Sequence, residues 1–357
     1  MRLIQPKNLR AVLAAILGSA GCKPPETDLV AEHMVGANLA GHDSHGAGLI
    51  PLYIEHLHNR LINAGQHAEI VRDDGAMLVI EGHMGFGQVI AREATELAID
   101  RARSQGVCVA ALRNSHHIGR VGAWGEMCAA AGLVSIHYVN VVGHRSNFVA
   151  PFGGRDRRFA TNPYCCAIPA GDGEEPLVLD MATSKIAFGK VRLAAIRGQD
   201  LAPGTIIDVD GRPSTDPGIM HPELNGALLP FGEYKGYGLA LVCELLAGAL
   251  TGYGTVQPQT PRSDAITNNM LMIVIDPARL IDSPWFAHEV RALIDYIRAT
   301  RPTDEGLPVL IPGDPERARR RAREEAGIPM PGAVWENVLR GADMAGLSRA
   351  AIEDLAA

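Results

Sequence analysis

The stretch VCVAALRNSHHIGR, residues 107–120, gives the strongest indication of the fold. Its first half is short, apolar and bounded by a polar turn, which is typical of a β-strand. Its second half places two imidazoles, a guanidinium and an asparagine directly after that strand. Loops at strand ends are where α/β proteins bind their ligands. The stretch therefore predicts a sheet-centred protein with a functional loop at the end of this strand.

Strands and helices are predicted to alternate on both sides of this stretch. Further strand-like runs occur at residues 76–80, 133–139 and 270–275, and helical patterns lie between them at 86–104, 121–131, 235–251 and 286–299. Residues 1 to about 70 predict three helices, and the chain returns to helix from residue 314. This alternation predicts an α/β or α+β protein whose sheet lies in roughly residues 75–300.

Composition excludes several classes of partner. The chain has 357 residues, 47% of them hydrophobic, and a formal net charge of −7. Nucleic acids and acidic membranes favour a basic surface, so neither is expected as a partner. The six cysteines form no CxxC pair, which indicates reduced thiols in a cytoplasmic protein. The apolar run near the N-terminus has the periodicity of an amphipathic helix, which argues against a signal peptide.

The common motifs for nucleotides, metals and nucleophiles are absent from the sequence. A Rossmann fingerprint needs GxGxxG, and the nearest run, Gly85-Phe86-Gly87-Gln88, lacks the third small residue. No phosphate-binding P-loop or GxSxG nucleophile motif occurs. His116, His117, His137 and His144 could supply metal ligands, but no HExxH motif and no acid at ligand spacing accompanies them. No metal is predicted.

Several polar turns could carry chemistry. His45 follows Asp43 and Ser44, and an imidazole can give or take a proton near neutral pH; a structural role for this short turn stays open. The other turns are the loop of residues 114–120, the run 179–184 with Lys190 behind it, and the run 233–238. Residues 313–316 begin an arginine-rich helix whose first turn either faces solvent or binds a nucleotide.

Taken in order, these turns resemble the malate/L-lactate dehydrogenase family, which stands apart from the Rossmann lactate dehydrogenases. The resemblance rests on GHDSHGAGLIPLYIEHL, RNSHHIGRVGAWGE, APFGGRDRRFATNP, LVLDMATSKIAFGK, LLPFGEYKGYGLAL and IPGDPE, which span nearly the whole chain. It is strongest to the branch called hydroxycarboxylate dehydrogenase B.

The resemblance implies a homodimer with a non-Rossmann, mixed or antiparallel NAD(P)-binding sheet domain. That domain corresponds to residues 73–299, and a helical domain is formed from both chain ends, residues 1–72 with 300–357. It also implies hydride transfer between NAD or NADP, with NAD favoured, and a small 2-hydroxy or 2-oxo acid. His45 is then the acid/base, with His117 as the competing candidate and Ser44 and Lys190 beside them. The implied cofactor contacts are His45, Gly119, Arg120, Val121, Leu179, Asp180, Met181, Ala182, Tyr234, Lys235, Asn268, Gly313, Asp314, Pro315 and Glu316.

This chain departs from the family pattern at two positions. Many members have arginine four residues after the first histidine, where it would hold the substrate carboxylate, but this chain has Leu49. We predict that Arg120 replaces it, because a guanidinium binds a carboxylate through two parallel hydrogen bonds. The imino acid reductases have aspartate at the position of Lys190. A cyclic imino acid reductase and a ureidoglycolate dehydrogenase are the alternative functions.

Overall fold

The structure, a computed structural model, describes residues 2–143, 147–171, 173–221, 223–261, 263–304 and 306–357. His144, considered above as a metal ligand, lies outside these residues. The α-helices are α1 (Pro6–Ser19), α2 (Glu26–Leu39), α3 (Ile50–His58), α4 (Gly87–Gln105), α5 (Gly122–Ala130), α6 (Phe188–Arg197), α7 (Tyr234–Cys243), α8 (Ser283–Arg298), α9 (Asp314–Ala326), α10 (Gly332–Met344) and α11 (Arg349–Ala356). The strands are β1 (Arg2–Ile4), β2 (Glu69–Asp74), β3 (Met77–Glu81), β4 (Val107–His116), β5 (Val134–Val142), β6 (Tyr164–Ile168), β7 (Leu177–Met181), β8 (Ile206–Ile207), β9 (Pro213–Ser214), β10 (Ala227–Leu228), β11 (Thr267–Ile275) and β12 (Ile328–Met330).

A seven-stranded mixed sheet forms the centre of the protein, with the strand order β2-β3-β4-β11-β5-β6-β7. Strands β3 and β4 pair in parallel across the α4 crossover, and the other neighbouring pairs are antiparallel. A Rossmann sheet is mostly parallel with helices between its strands, so this pairing agrees with the missing fingerprint. The expected mixed α/β architecture is confirmed.

The predicted elements are largely confirmed, with differences at their ends. The amphipathic periodicity near the N-terminus is confirmed, because the five apolar positions that form one face of α1 are buried, namely Leu9, Val12, Leu13, Ile16 and Leu17. The three helices predicted in the first 70 residues are present as α1, α2 and α3, the last of which ends at His58. The helix expected over 235–251 continues past α7 as a π-helix, Glu244–Ala249. The small sheet β10-β8-β9 was missed, because two-residue strands are too short to show a periodicity.

Two large apolar cores hold these layers together. One is built by the helices near both ends of the chain, since α1, α2 and α3 pack with α10 and α11 and β1 pairs with β12. The other lies between the large sheet and the helices α4 and α5. The boundaries 1–72, 73–299 and 300–357 stay a prediction. Among the described residues, none of the helices is both long and apolar enough to cross a membrane.

Candidate functional site

His45 lies on a short 3-10 turn, Asp43–His45, that two other elements fix in place. From α2, the Asn38 amide donates to the Asp43 carboxylate over 2.7 Å and accepts the Ala47 N–H over 2.8 Å. From α9, Arg323 forms an ion pair with Asp43 at 2.7 Å. The turn therefore has a defined orientation, which an acid/base side chain requires.

His117 lies in the loop that follows β4, and this loop is held from three sides. Asn268 Oδ1, at the start of β11, accepts the Ile118 N–H over 2.9 Å. The ring of His33 accepts the Arg120 N–H over 2.8 Å and stacks on Trp124. At the start of α4, a Cβ on Gly87 would lie 2.3 Å from the His117 carbonyl oxygen, so glycine is needed for this close approach. The loop is tightly packed between β11, α2 and α4.

The two histidines meet although they are far apart in sequence. His45 Nδ1 lies 3.3 Å from His117 Nε2, and the rings stack with centroids 5.3 Å apart. Behind them, the Tyr53 hydroxyl lies 2.7 Å from His117 Nδ1, and Gln88 Nε2 donates to that hydroxyl over 2.7 Å. A continuous series of hydrogen bonds thus runs from buried Gln88 to the outermost ring, that of His45.

Burial keeps both imidazoles neutral. It lowers the pKa of His45 to about 4, and the positive charges of His42 and Arg120 act in the same direction. Burial also lowers the pKa of His117 well below its usual value, and the neighbouring histidines add to this. A second buried pair lies next in the chain to His117, where His56 Nδ1 is 2.8 Å from His116 Nε2. A neutral imidazole carries a free lone pair that can accept a proton from a bound hydroxyl.

The pair opens onto a cavity of about 770 Å³. Its wall is mostly apolar and includes, with the two histidines, Leu52, Ile118, Gly119, Val121, Val139, Val141, Phe148, Phe188, Ile266 and Asn268. Among the described residues that line it there is no lysine or arginine. A largely apolar cavity with two convergent imidazoles is typical of a small-molecule site.

Arg120 faces a different cavity. Its guanidinium is 2% exposed and pairs with Glu126 at 2.5 Å. Nε and Nη1 have no hydrogen-bond partner among the described residues. Arg120 lines a cavity of about 450 Å³ together with Asp180, Gly313 and Glu316. Buried donors without partners need an acceptor, so this cavity suits an anionic or oxygen-rich ligand.

The predicted site residues thus fall into three sets. His45, His117, Gly119, Val121 and Asn268 line the first cavity. Arg120, Asp180, Gly313 and Glu316 line the second. Leu179 and Met181 flank Asp180 on β7, Ala182 follows them, and Asp314 and Pro315 form the first turn of α9.

The remaining predicted residues lie apart from the first cavity. Lys190 and Lys235 are exposed on α6 and α7, and Tyr234 is 62% exposed. Ser44 packs against Gly189 at the start of α6, where a Cβ on that glycine would be 2.4 Å away. The hydrogen bond of His45 goes to His117. A role of Ser44 in orienting His45 or in hydrogen-bonding a substrate oxygen stays a prediction. The structure does not bring the Arg120 guanidinium to the wall beside His45, because Glu126 holds it on the far side of the loop.

Sequence reasoning missed Tyr53, Gln88 and His33. Tyr53 lies within an apolar helical run, where an aromatic residue is usually part of the core. Gln88 belongs to the GFGQ run that was tested as a nucleotide motif and set aside. The preceding glycine could have indicated the role of Gln88, because Gly87 allows α4 to start against the loop that carries His117.

Comparison with known proteins gives consistent matches along the whole chain. The sequence pattern of a family described as malate/L-lactate dehydrogenase matches residues 4–339. Hydroxycarboxylate dehydrogenase B of Escherichia coli O157:H7 is 45% identical over 96% of this chain and 94% of its own length. An L-lactate dehydrogenase of Cupriavidus necator is 43% identical over 88% of this chain and 89% of its own. A solved dehydrogenase structure from E. coli superposes with a TM-score of 0.94 at 42% identity, covering 99% of this chain and 98% of that one.

Proposed function

The chain belongs to the malate/L-lactate dehydrogenase family, which includes a hydroxycarboxylate dehydrogenase and an L-lactate dehydrogenase. We propose that it interconverts a 2-hydroxy acid and its 2-oxo acid, with His45 as the acid/base. The single observation that supports this most is the neutral His45–His117 pair at the wall of an apolar cavity. In the oxidative direction, His45 Nε2 takes the proton of the substrate hydroxyl. His45 Nδ1–H then donates to His117 Nε2 and holds the resulting imidazolium in place. Reduction returns the same proton to the carbonyl oxygen.

The family implies a nicotinamide cofactor, and the residues present fit one. The test is Arg120, which lines a cavity at the start of α9 and whose buried Nε and Nη1 lack partners within the part of the chain that the structure describes. A guanidinium and a helix N-terminus both stabilise phosphate oxygens. We assign Arg120, Gly313 and the first turn of α9 to the phosphate end of the cofactor, and Gly119, Val121 and Asn268 to the nicotinamide end. When bound, the nicotinamide supplies the acceptor or donor of the hydride.

We propose that NAD is preferred over NADP. The second cavity is lined by the carboxylates of Asp180 and Glu316 as well as by arginines. A carboxylate at such a site binds the ribose hydroxyls of NAD and repels the extra phosphate of NADP. The expected outcome is a higher kcat/KM with NADH than with NADPH.

The substrate is proposed to carry an apolar side chain. Leu49 stands where many relatives have a carboxylate-binding arginine, and Phe148 and Phe188 stack at 3.8 Å in the cavity wall. Arg120 as the carboxylate clamp stays a prediction, and its contact with Glu126 favours the cofactor role. The homodimer also stays a prediction; the exposed apolar side chains Leu241, Val242, Leu245 and Leu250 support it.

The test is a substrate panel with purified protein. Pyruvate, oxaloacetate and phenylpyruvate are each mixed with NADH or NADPH, and oxidation of the cofactor is followed by its absorbance. We expect turnover that is fastest with phenylpyruvate, and His45→Ala should lower kcat by about 10²–10⁴-fold, the usual contribution of a positioned proton transfer. Turnover of Δ1-piperideine-2-carboxylate or ureidoglycolate in place of these acids would favour the alternative functions. An unchanged kcat in His45→Ala would refute the acid/base assignment.

A further inference from the structure

Gln88 ends a buried series of hydrogen bonds that begins at the substrate cavity. Its side chain is 1% exposed and lies in the first turn of α4. Nε2 donates to the Tyr53 hydroxyl, and that hydroxyl contacts His117 Nδ1, each over 2.7 Å. His117 Nε2 in turn contacts His45 Nδ1 at 3.3 Å. The two inner groups, Tyr53 and His117, each have one hydrogen-bond neighbour on either side. The direction in which Gln88 is bonded therefore constrains which nitrogen of His45 carries the proton.

The amide orientation sets the direction of every bond in the series. When Gln88 Nε2 donates to Tyr53, the hydroxyl proton is free to be donated to His117 Nδ1. A neutral His117 then carries its proton on Nε2 and donates it to His45 Nδ1. A neutral His45 consequently carries its own proton on Nε2, facing the cavity.

Rotation of the amide by half a turn reverses the series. Gln88 Oε1 then accepts the Tyr53 proton, His117 donates from Nδ1 to Tyr53, and His45 donates from Nδ1 to His117. The Nε2 lone pair of His45 now faces the cavity. In the structure Gln88 Oε1 is buried and has no partner among the described residues, so no second hydrogen bond holds the amide in one orientation.

We propose that Gln88 is a positioning residue for His45, and that the orientation of its amide selects which neutral tautomer of His45 faces the substrate. This inference rests on the proposed function and deepens it. The tautomer with Nε2–H binds a 2-oxo acid by donating a hydrogen bond to its carbonyl oxygen, and a proton from solvent then converts His45 to the imidazolium that delivers the proton in reduction. The tautomer with a free Nε2 lone pair accepts the proton of a 2-hydroxy acid. An amide serves both directions because it carries a donor and an acceptor on one side chain.

The alternative is that Gln88 only fills space at the start of α4. Gln88→Met keeps the length of the side chain and removes both hydrogen-bonding groups, and Tyr53→Phe removes the hydroxyl that transmits the effect. We expect each variant to lower kcat by about tenfold, the effect of one lost hydrogen bond, and to change KM little. The double variant should be no slower than Tyr53→Phe alone, because Gln88 acts through that hydroxyl. Gln105→Met, at the exposed end of α4, and Tyr296→Phe are the matched controls and should leave kcat unchanged.

A direct measurement of the tautomer separates positioning from packing. In protein labelled with ¹⁵N-histidine and saturated with NADH and oxamate, an unreactive analogue of a 2-oxo acid, His45 should show a single Nε2–H tautomer. In Gln88→Met the same complex should show a mixture of tautomers, which a loss of packing alone would not produce. The proposal is refuted if both variants keep kcat within about twofold of wild type, if their losses add in the double variant, or if the tautomer is unchanged. His45→Ala separates the two proposals. If this variant keeps its activity, the acid/base assignment is wrong. If it is inactive while Gln88→Met and Tyr53→Phe keep wild-type activity, only the positioning role of Gln88 fails.

Discussion

Replacing Gly87 by alanine should disable the candidate site without touching any group proposed to react. The helix α4 begins at Gly87 directly against the loop that carries His117. A Cβ at this position would lie 2.2 Å from the His116 carbonyl oxygen and 2.3 Å from that of His117. Both atoms are backbone, so no flexible side chain can move aside. The loop or the helix must shift by about 1 Å to reach an ordinary carbon–oxygen contact distance.

The size of the effect follows from the contacts of His117. Its two ring nitrogens contact Tyr53 and His45 at 2.7 and 3.3 Å, and a shift of about 1 Å breaks at least one of these bonds. Misplacement by this amount lowers turnover by about 100-fold. Overpacking of this kind also lowers the free energy of unfolding by about 1–3 kcal/mol.

The assay compares kcat and thermal stability of Gly87→Ala with those of a matched variant, Gly18→Ala. Gly18 lies in α1 with nothing within 4 Å of its Cβ position, so alanine there should slightly raise helix stability and leave kcat unchanged. A Gly87→Ala protein with wild-type kcat and wild-type melting temperature would refute the reasoning. Loss of kcat with an unchanged melting temperature would show that the loop moves rather than the fold.

Three further outcomes are expected. Asn268→Ala removes the acceptor of the Ile118 N–H and the proposed contact with the nicotinamide end of the cofactor, so it should lower kcat and the free energy of unfolding, the latter by about 1–3 kcal/mol, and raise the KM of the cofactor; an unchanged kcat and free energy of unfolding would contradict the positioning role. Burial lowers the pKa of His137 from 6.5 to about 4, so the contribution of His137 to the free energy of unfolding is complete above pH 6.5 and falls by about 3 kcal/mol as the pH drops towards 4, because the unfolded chain binds the proton first. In denaturant titrations, the free energy of unfolding of His137→Asn should fall less steeply with pH than that of the wild type. An equally steep fall would contradict this prediction. The Glu244 carboxylate accepts hydrogen bonds from the Asn140 and Asn162 amides. Glu244→Leu removes every acceptor and should melt at a lower temperature than Glu244→Gln, which keeps an amide oxygen. Equal melting temperatures would contradict a stabilising network.

Periodicity made the helices and strands predictable from sequence. The five apolar positions of α1 and the strand-like runs at β3, β4, β5 and β11 are local patterns, and burial of one face is all they require. The family resemblance rested equally on short local stretches. His45 and His117 could be chosen in this way, because each lies in a polar turn of an otherwise apolar chain.

The contact between these two histidines could not be read from local patterns. They are 72 residues apart, and they meet because α2, α4 and β11 pack around the loop after β4. The same packing turns the Arg120 guanidinium towards Glu126 and the second cavity, although its sequence position suggested the substrate.

Sequence alone therefore determined most of the longer helices and strands, the family and the two turns that carry the histidines. The tertiary structure decided which side chains face each other, and it added Tyr53, Gln88 and His33 to the site. The physical reason is that apolar periodicity is a property of neighbouring residues. Hydrogen-bond direction and side-chain burial depend instead on atoms that distant segments bring together.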